Sequence, residues 1–396
     1  MSSVMPLSGV TVVDFTQLIA GPSATMLLAD MGADVIKIEQ VEGELSRRLG
    51  TSLKTTFLAY NRNKRSIAMN LKRSESREIV RKLVSRSDIV VQGFSPGAME
   101  RMGLGYEDLL EVQPRLIYAS LSGFGAGESG SKRRGVDAIV QAETGMMAAT
   151  GDPAGPPVKV GFQVVDAAAG LALAQGILAS LRMRDMTGEP QHLSTSLYEV
   201  STFLQSPAFV HASATGSDVP RTGNTGGTLG YPTDLFETSD GRYVEVAAYL
   251  PEQWRLFCET IERPDLPCDA RFADGPARVE NMASLRIELQ KAISARSRDE
   301  WTSRFRDSGI MAGPVLAHSE VMDSEHAHQN DCFVESECDG QQYRSVRMPV
   351  TSHSFVNQKT VTAPRLGADT EEILTELGYQ ADEMDALRGA GAFSAH

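Results

Sequence analysis

Apolar positions fall into a repeating rhythm over the first third of the chain. Val10 to Phe15 (VTVVDF) is a short, nearly continuous apolar run, as in a buried strand. Gly21-Pro22-Ser23 breaks it, and Ala24 to Met31 follows at helical spacing until Gly32 stops it. Val35 to Glu39 (VIKIE) is the next strand. After the turn NRNKRS, IAMNLK predicts a half-buried strand ending at Lys72. Ser74 then caps a helix carrying Ile79, Val80, Leu83 and Val84, and Ile89 to Phe94 (IVVQGF) returns as a strand. A helix around Met99 to Met102 and a strand over Leu116 to Phe124 repeat the theme. Successive β-α-β units with apolar strands predict an α/β fold with a parallel, Rossmann-like sheet. The first turn, DFTQLIAGPSA, holds one glycine where a dinucleotide fingerprint needs three, which argues against a nicotinamide or flavin enzyme.

The stretch Pro157 to Arg184 (PVKVGFQVVDAAAGLALAQGILASLRMR) opens on alternating apolar residues, turns at Gly161 and runs from Ala167 to Leu181 as a buried helix. Asp166 is its only charge between Lys159 and Arg182. Two readings stand side by side: Asp166 as an N-cap for the first helical turn, or Asp166 facing an apolar cavity as a nucleophile or base. Leu193 to Gln205 continues at helical spacing, and His211 to Pro232 reads as a loop crossing between domains. A smaller α+β unit follows. It has a strand at Tyr243 to Tyr249, a helix at Met282 to Ile293, and a second helix begun by the capping box Ser297–Glu300 with Trp301 and Phe305 on one face. Gly313-Pro314-Val315 ends it, and a tail helix runs from Thr370 to Leu377 after a cap at Asp369. The resulting partition is 1–205, a linker over 206–232, and a small domain over 233–322.

Composition narrows the function. A chain of 396 residues with 41% hydrophobic and 22% charged content is a globular protein with room for two domains, and a net charge of −13 argues against a nucleic-acid partner. Cys258, Cys268, Cys332 and Cys338 show no metal or disulfide spacing, which suits a reducing cytoplasm. His318, His326 and His328 lie in an acidic stretch without ligand spacing and read as surface residues, so no metal is expected. The N-terminus lacks a signal-peptide pattern, and no apolar run approaches a membrane span, so no membrane association is expected. Lys132-Arg133-Arg134, after a glycine-rich loop, is either a phosphate contact or a solvated run.

Several segments, in this order, resemble the class III CoA-transferase family, which includes formyl-CoA and carnitine CoA-transferases and the α-methylacyl-CoA racemases. They are LSGVTVVDFTQLIAGP, LLADMGADVIKIE, YNRNKRSIAMNLK, FSPGAMERMGLGYEDLLEVQPRLIYASLSGFG, VVDAAAG, TGN followed by YPTDLFETSDGRYVEVAA, and APRLGADTEEIL. The resemblance covers almost the whole chain. It implies a large Rossmann-like domain built from both chain ends, so that 323–396 is a return linker and the C-terminal part of that domain. It also implies a small middle domain and an interlocked homodimer, with the CoA site between the large domain of one subunit and the small domain of the other.

By the same resemblance Asp166 is the catalytic carboxylate, carrying mixed-anhydride and aspartyl-CoA thioester intermediates. Coenzyme A is then a substrate and not a tightly bound cofactor, and the partners are an acyl-CoA and a small carboxylic acid. The family's CoA contacts match Leu18, Ile19, Ala20, Met69, Lys72, Phe94 and Arg101. Gln40 and Gly93 stand where some members carry arginine and asparagine. Racemases of the family carry a histidine where this chain has Val136, and an isopropyl group shuttles no proton, so transfer is favoured over racemisation. Arg134 and Val136 are expected to line the acyl pocket. Gly226 and Gly227 are the candidate lid. Arg134, Arg221 and the Gly226 loop are candidates for meeting the acid, such as succinate or a branched five-carbon diacid. The alternatives are an acyl-CoA racemase or isomerase, and a CoA-binding protein without turnover.

Overall fold

The computed structural model describes residues 5–48, 50–225, 232–248, 250–338, 340–350 and 361–393. The candidate lid glycines Gly226 and Gly227 lie outside these residues, as does Tyr249 at the end of an expected strand. The chain divides into two units: residues 1–146, 160–210 and 329–396, and residues 147–159 and 211–328.

The first unit is built on a six-stranded parallel sheet of β1 (Thr11–Phe15), β2 (Asp34–Glu39), β3 (Lys64–Ala68), β4 (Ile89–Gln92), β5 (Ile117–Ser122) and β6 (Gln191–Ser196). The strand order is β3-β2-β1-β4-β5-β6. This is the doubly wound order, in which the connections reverse direction between β1 and β4 and open a crevice beyond the strands' carboxyl ends. Val12 and Val35 face one side and pack under the helices Ala20–Asp30 and Val164–Thr187. Val13 and Ile36 face the other, under the helices Ser74–Val84 and Thr370–Glu376. Burial on both faces explains why these strands read as unbroken apolar runs.

The C-terminal segment belongs to the same unit. The Asp369 carboxylate accepts the backbone N–H of Ser66 at 2.7 Å, and Phe393 bridges to Met69. Asp369 thus occupies the N-cap position of the tail helix without capping it by its side chain. The hairpin β10 (Phe333–Cys338) and β11 (Gln341–Val346) also lies in this unit.

In the second unit β7 (Thr233–Glu237), β8 (Tyr243–Ala247) and β9 (Met311–Pro314) form an antiparallel sheet. It packs under helices whose core includes Trp254, Phe257, Trp301 and Phe305. The Ser297–Glu300 capping box forms as read from the sequence, and helix Met282–Ile293 has the expected bounds.

Several local expectations change. β3 lies earlier than IAMNLK, because Lys64 and Ser66 are buried partners of other polar groups and not turn residues. Residues 191–196 form the sixth strand and not a helix; on this polar edge only alternate residues are covered, which hides the strand signal. Residues 206–215, the start of the expected linker, are helical, and the expected loop from His211 begins only after them. Helix 74–84 has Arg73 at its N-cap, and the Ser74 hydroxyl turns to Glu75. Helix 164–187, with 24 residues, is long and apolar enough to span a membrane by length and composition, contrary to the expectation that no run approaches that length. One side of it packs against helix 20–30, β5 and β6.

Candidate active site

Helix 164–187 begins two residues before Asp166, with Gln163 at the N-cap and no side-chain cap from Gln163. Its first-turn N–H groups are capped from elsewhere. The Asp137 carboxylate, 6% exposed, accepts the N–H of Val165 at 2.8 Å and of Asp166 at 3.2 Å. Its other oxygen accepts from the Gln141 amide at 2.5 Å, and the Gln141 carbonyl oxygen accepts the N–H of Val160 at 3.0 Å. Asp137 and Gln141, one turn apart on helix 137–143, therefore hold both ends of the segment that leads into the Asp166 helix. The capping reading of Asp166 fails for this reason: another carboxylate caps the first turn, and Gln163 holds the N-cap position.

The surroundings of Asp166 are low in water and carry a like charge. Burial first, and the Asp137 carboxylate second, raise its pKa from 3.8 to about 7. The Tyr60 hydroxyl, at the end of helix 50–60, is pushed above its ordinary range by burial and then by the charge of Asp166. Gly170, one turn beyond Asp166, sits where any Cβ would collide with Ser23 and lie 2.9 Å from the Ala20 carbonyl. That close approach seats the head of the Asp166 helix against the head of helix 20–30, directly after the loop that leaves β1.

That loop is held by buried ions. The Asp14 carboxylate accepts the N–H of Thr16 (2.8 Å), the hydroxyl of Thr25 (2.7 Å) and the Lys64 ammonium (3.0 Å), with no exposed surface on either charged group. Lys37, equally buried, donates to the Thr16 carbonyl at 2.8 Å and lies 3.3 Å from Glu44. Glu44 in turn accepts the Leu18 N–H at 3.3 Å. Burial opposes ionisation of Asp14, but Lys64 and Lys37 outweigh it and hold the carboxyl well below its ordinary range. Burial brings Lys64 down to about 8. Leu18 adopts φ +68°, a conformation unfavourable for a branched side chain, and the Glu44 bond is what holds it there.

The other residues matched to CoA contacts sit on the same edge of the sheet. Ile19 is the N-cap of helix 20–30, and Ala20 its first residue. Gln40 follows β2 and is exposed, Met69 follows β3 and is buried, and Gly93 and Phe94 follow β4. Lys72 and Arg101 are exposed. Arg134 is exposed, and Val136, 55% exposed, is the N-cap of the Asp137 helix. Arg221 belongs to the second unit. Sequence reasoning missed Tyr60, Asp137 and the Asp14–Lys37–Lys64–Glu44 cluster. For Asp137 and Gln141 the available signal is their i, i+4 spacing within RRGVDAIVQ. Tyr60 and the buried ions are united only by the fold. Among the described residues no His, Cys, Asp and Glu group is arranged to hold a metal ion.

Comparison with known proteins agrees with this layout. The model of CoA-transferase family III matches residues 7–370. The chain is 35% identical to "Probable fatty acyl-CoA transferase Rv3272" of Mycobacterium tuberculosis over 91% of its own length and 95% of that protein. It is 36% identical to the succinyl-CoA:mesaconate CoA-transferase of Haloarcula marismortui over 94% and 96%. The crystal structure of a CAIB/BAIF family protein from Brucella suis superposes with a TM-score of 0.87 at 30% identity, covering 94% of this chain and 99% of that one. A doubly wound parallel sheet, a carboxylate in the first turn of a long apolar helix, and a family match across the chain lead to one conclusion: this protein belongs to CoA-transferase family III and is a class III CoA-transferase.

Proposed function

We propose that the protein moves CoA from an acyl-CoA thioester to a free carboxylic acid through covalent intermediates on Asp166. An Asp166 oxygen attacks the thioester carbonyl, the C–S bond breaks, and a mixed anhydride forms with CoA leaving as thiolate. The thiolate attacks the Asp166 carboxyl carbon, expelling the first acid as its carboxylate and leaving an aspartyl-CoA thioester. The incoming carboxylate attacks that carbon and displaces the thiolate, which then takes the new acyl group and frees Asp166. Charge is conserved at every step, and no external base is needed.

The observation that carries this reading is the Asp166 environment. The carboxylate is partly dehydrated, not engaged in capping, and lies next to the loop and strand ends where CoA contacts are expected. Dehydration makes the carboxylate more reactive and protects the anhydride from hydrolysis. We place CoA along Leu18, Ile19, Ala20, Met69 and Phe94, with Lys72 and Arg101 toward its phosphates. Large apolar side chains left uncovered on the single chain, among them Phe203 at 79% and Val210 at 67% exposed, support a homodimer. Four cysteines without metal-ligand or disulfide spacing are consistent with a reducing cytoplasm.

The test is to load the protein with acyl-CoA and treat it with hydroxylamine. Inactivation with a mass change on the Asp166 peptide supports the reading, and its absence there rejects it. A racemase would instead exchange the acyl α-hydrogen with solvent deuterium without any second acid.

A further inference from the structure

A cavity of about 800 Å³ lies within the first unit beside Asp166, in the size range of a specific small-molecule site. Its walls include Met26 and Leu27 of helix 20–30, Leu58 of helix 50–60, Leu171 of the Asp166 helix and Val346 of β11. Ala167, the residue after Asp166, and Tyr60, at the end of helix 50–60, also line it. Because Ala167 and Leu171 are one turn apart on one helix face, the cavity extends along the helix away from the reacting carboxylate. Leu171 and Val346 are 54% and 62% exposed, so an occupant would cover them.

The cations on the wall have partners, but the Arg347 Nε is buried without one. Arg62 makes two bonds to Asp30, at 3.0 and 2.5 Å. Arg344 pairs with Glu335 at 3.0 Å, Arg347 with Asp331 at 3.1 Å, and Lys54 is engaged as well. Away from the Arg347 Nε, a diacid entering here would set its second carboxylate against Met26, Leu27, Leu58, Leu171 and Val346, which is costly. A hydrocarbon tail meets none of that cost.

We propose that this cavity receives the tail of an unbranched acyl group, so that at least one exchanged acid is a monocarboxylic acid of medium or long chain. The proposal rests on Asp166 as the acyl-accepting carboxylate. Each buried methylene is expected to tighten binding about fourfold.

Calorimetric titration of the whole protein with unbranched carboxylates of roughly four to twelve carbons tests it. Affinity should climb about fourfold per methylene until the tail fills the cavity. Leu171→Trp and Val346→Trp should each flatten the series. Dodecanoate binding no tighter than butanoate overturns the proposal. So do tryptophan variants that keep the wild-type slope, including the case in which they alter only the oligomeric state and so give the cavity to a second copy of the chain. Asp166→Ala separates the two readings. If it loses transfer and keeps the slope, both stand. If it retains transfer, the aspartyl mechanism fails while the slope still decides the cavity.

Discussion

At the scale of single residues, Asp166 and Asp137 are two carboxylates with different tasks, assigned by what each touches. Asp137 accepts three N–H groups and is spent on capping, whereas Asp166 is raised to about 7 by burial and by its neighbour. A nucleophile must be ionised, so kcat/KM should rise with pH and level off above about 7. Asp137→Asn removes the like charge while keeping the shape. It should move that midpoint to lower pH, though not to 3.8, because burial is the larger cause; pH–rate profiles of the two proteins check this.

The same shift has a stability consequence. The unfolded chain releases the Asp166 proton near pH 3.8 and the folded chain near 7, so folding binds the extra proton between them. Stability therefore falls as pH rises across that window and stays reduced above it. Asp166→Asn should stabilise the free protein at pH 8 by ~2 kcal/mol, discounted for partial exposure, and by almost nothing at pH 3. Denaturant melts at the two pH values measure the difference.

At the scale of elements, the loop from β1 to helix 20–30 depends on charges that cannot reach water. Removing one partner of a buried pair leaves the other unpaired. Lys64→Met should thus cost about 3–5 kcal/mol in a urea melt, far more than loss of the exposed pair Arg133–Glu143. Asp14 is held low in the fold, so its contribution is present above pH ~4 and is lost as pH falls below it. The contact between helices is as specific. Gly170→Val has no room beside Ser23 and should separate the helix heads, lowering turnover more than Gly188→Ala, where a Cβ meets nothing. Gly188 itself has φ +78°, so its replacement has a backbone cost, and melting curves must accompany the rates.

At the scale of the whole molecule, the long apolar helix is only partly covered by its own chain: 39% of its most apolar stretch is buried. Phe203, Phe209 and Val210 add exposed apolar area nearby in sequence. Sedimentation should find two chains of 42.8 kDa in one particle, and the double variant Phe203→Glu/Phe209→Glu should yield single chains or insoluble protein. A wild-type particle of one chain would remove the dimer.

The sequence alone determined the parallel α/β class, the run of strands β1, β2, β4 and β5, the capping box at Ser297, and the place of Asp166 at the head of an apolar helix. These are local matters, set by the spacing of apolar residues over a few turns, and spacing is visible in one dimension. Tertiary structure decided which carboxylate caps and which stays open. It decided that polar residues at 191–196 complete the sheet, and that Lys37, Lys64, Asp14 and Glu44 meet in one dry cluster. It also set Tyr60, Ala167 and β11 around one cavity. A charged residue reads the same along the chain whether water or a counter-charge surrounds it, and only packing between distant segments removes the water.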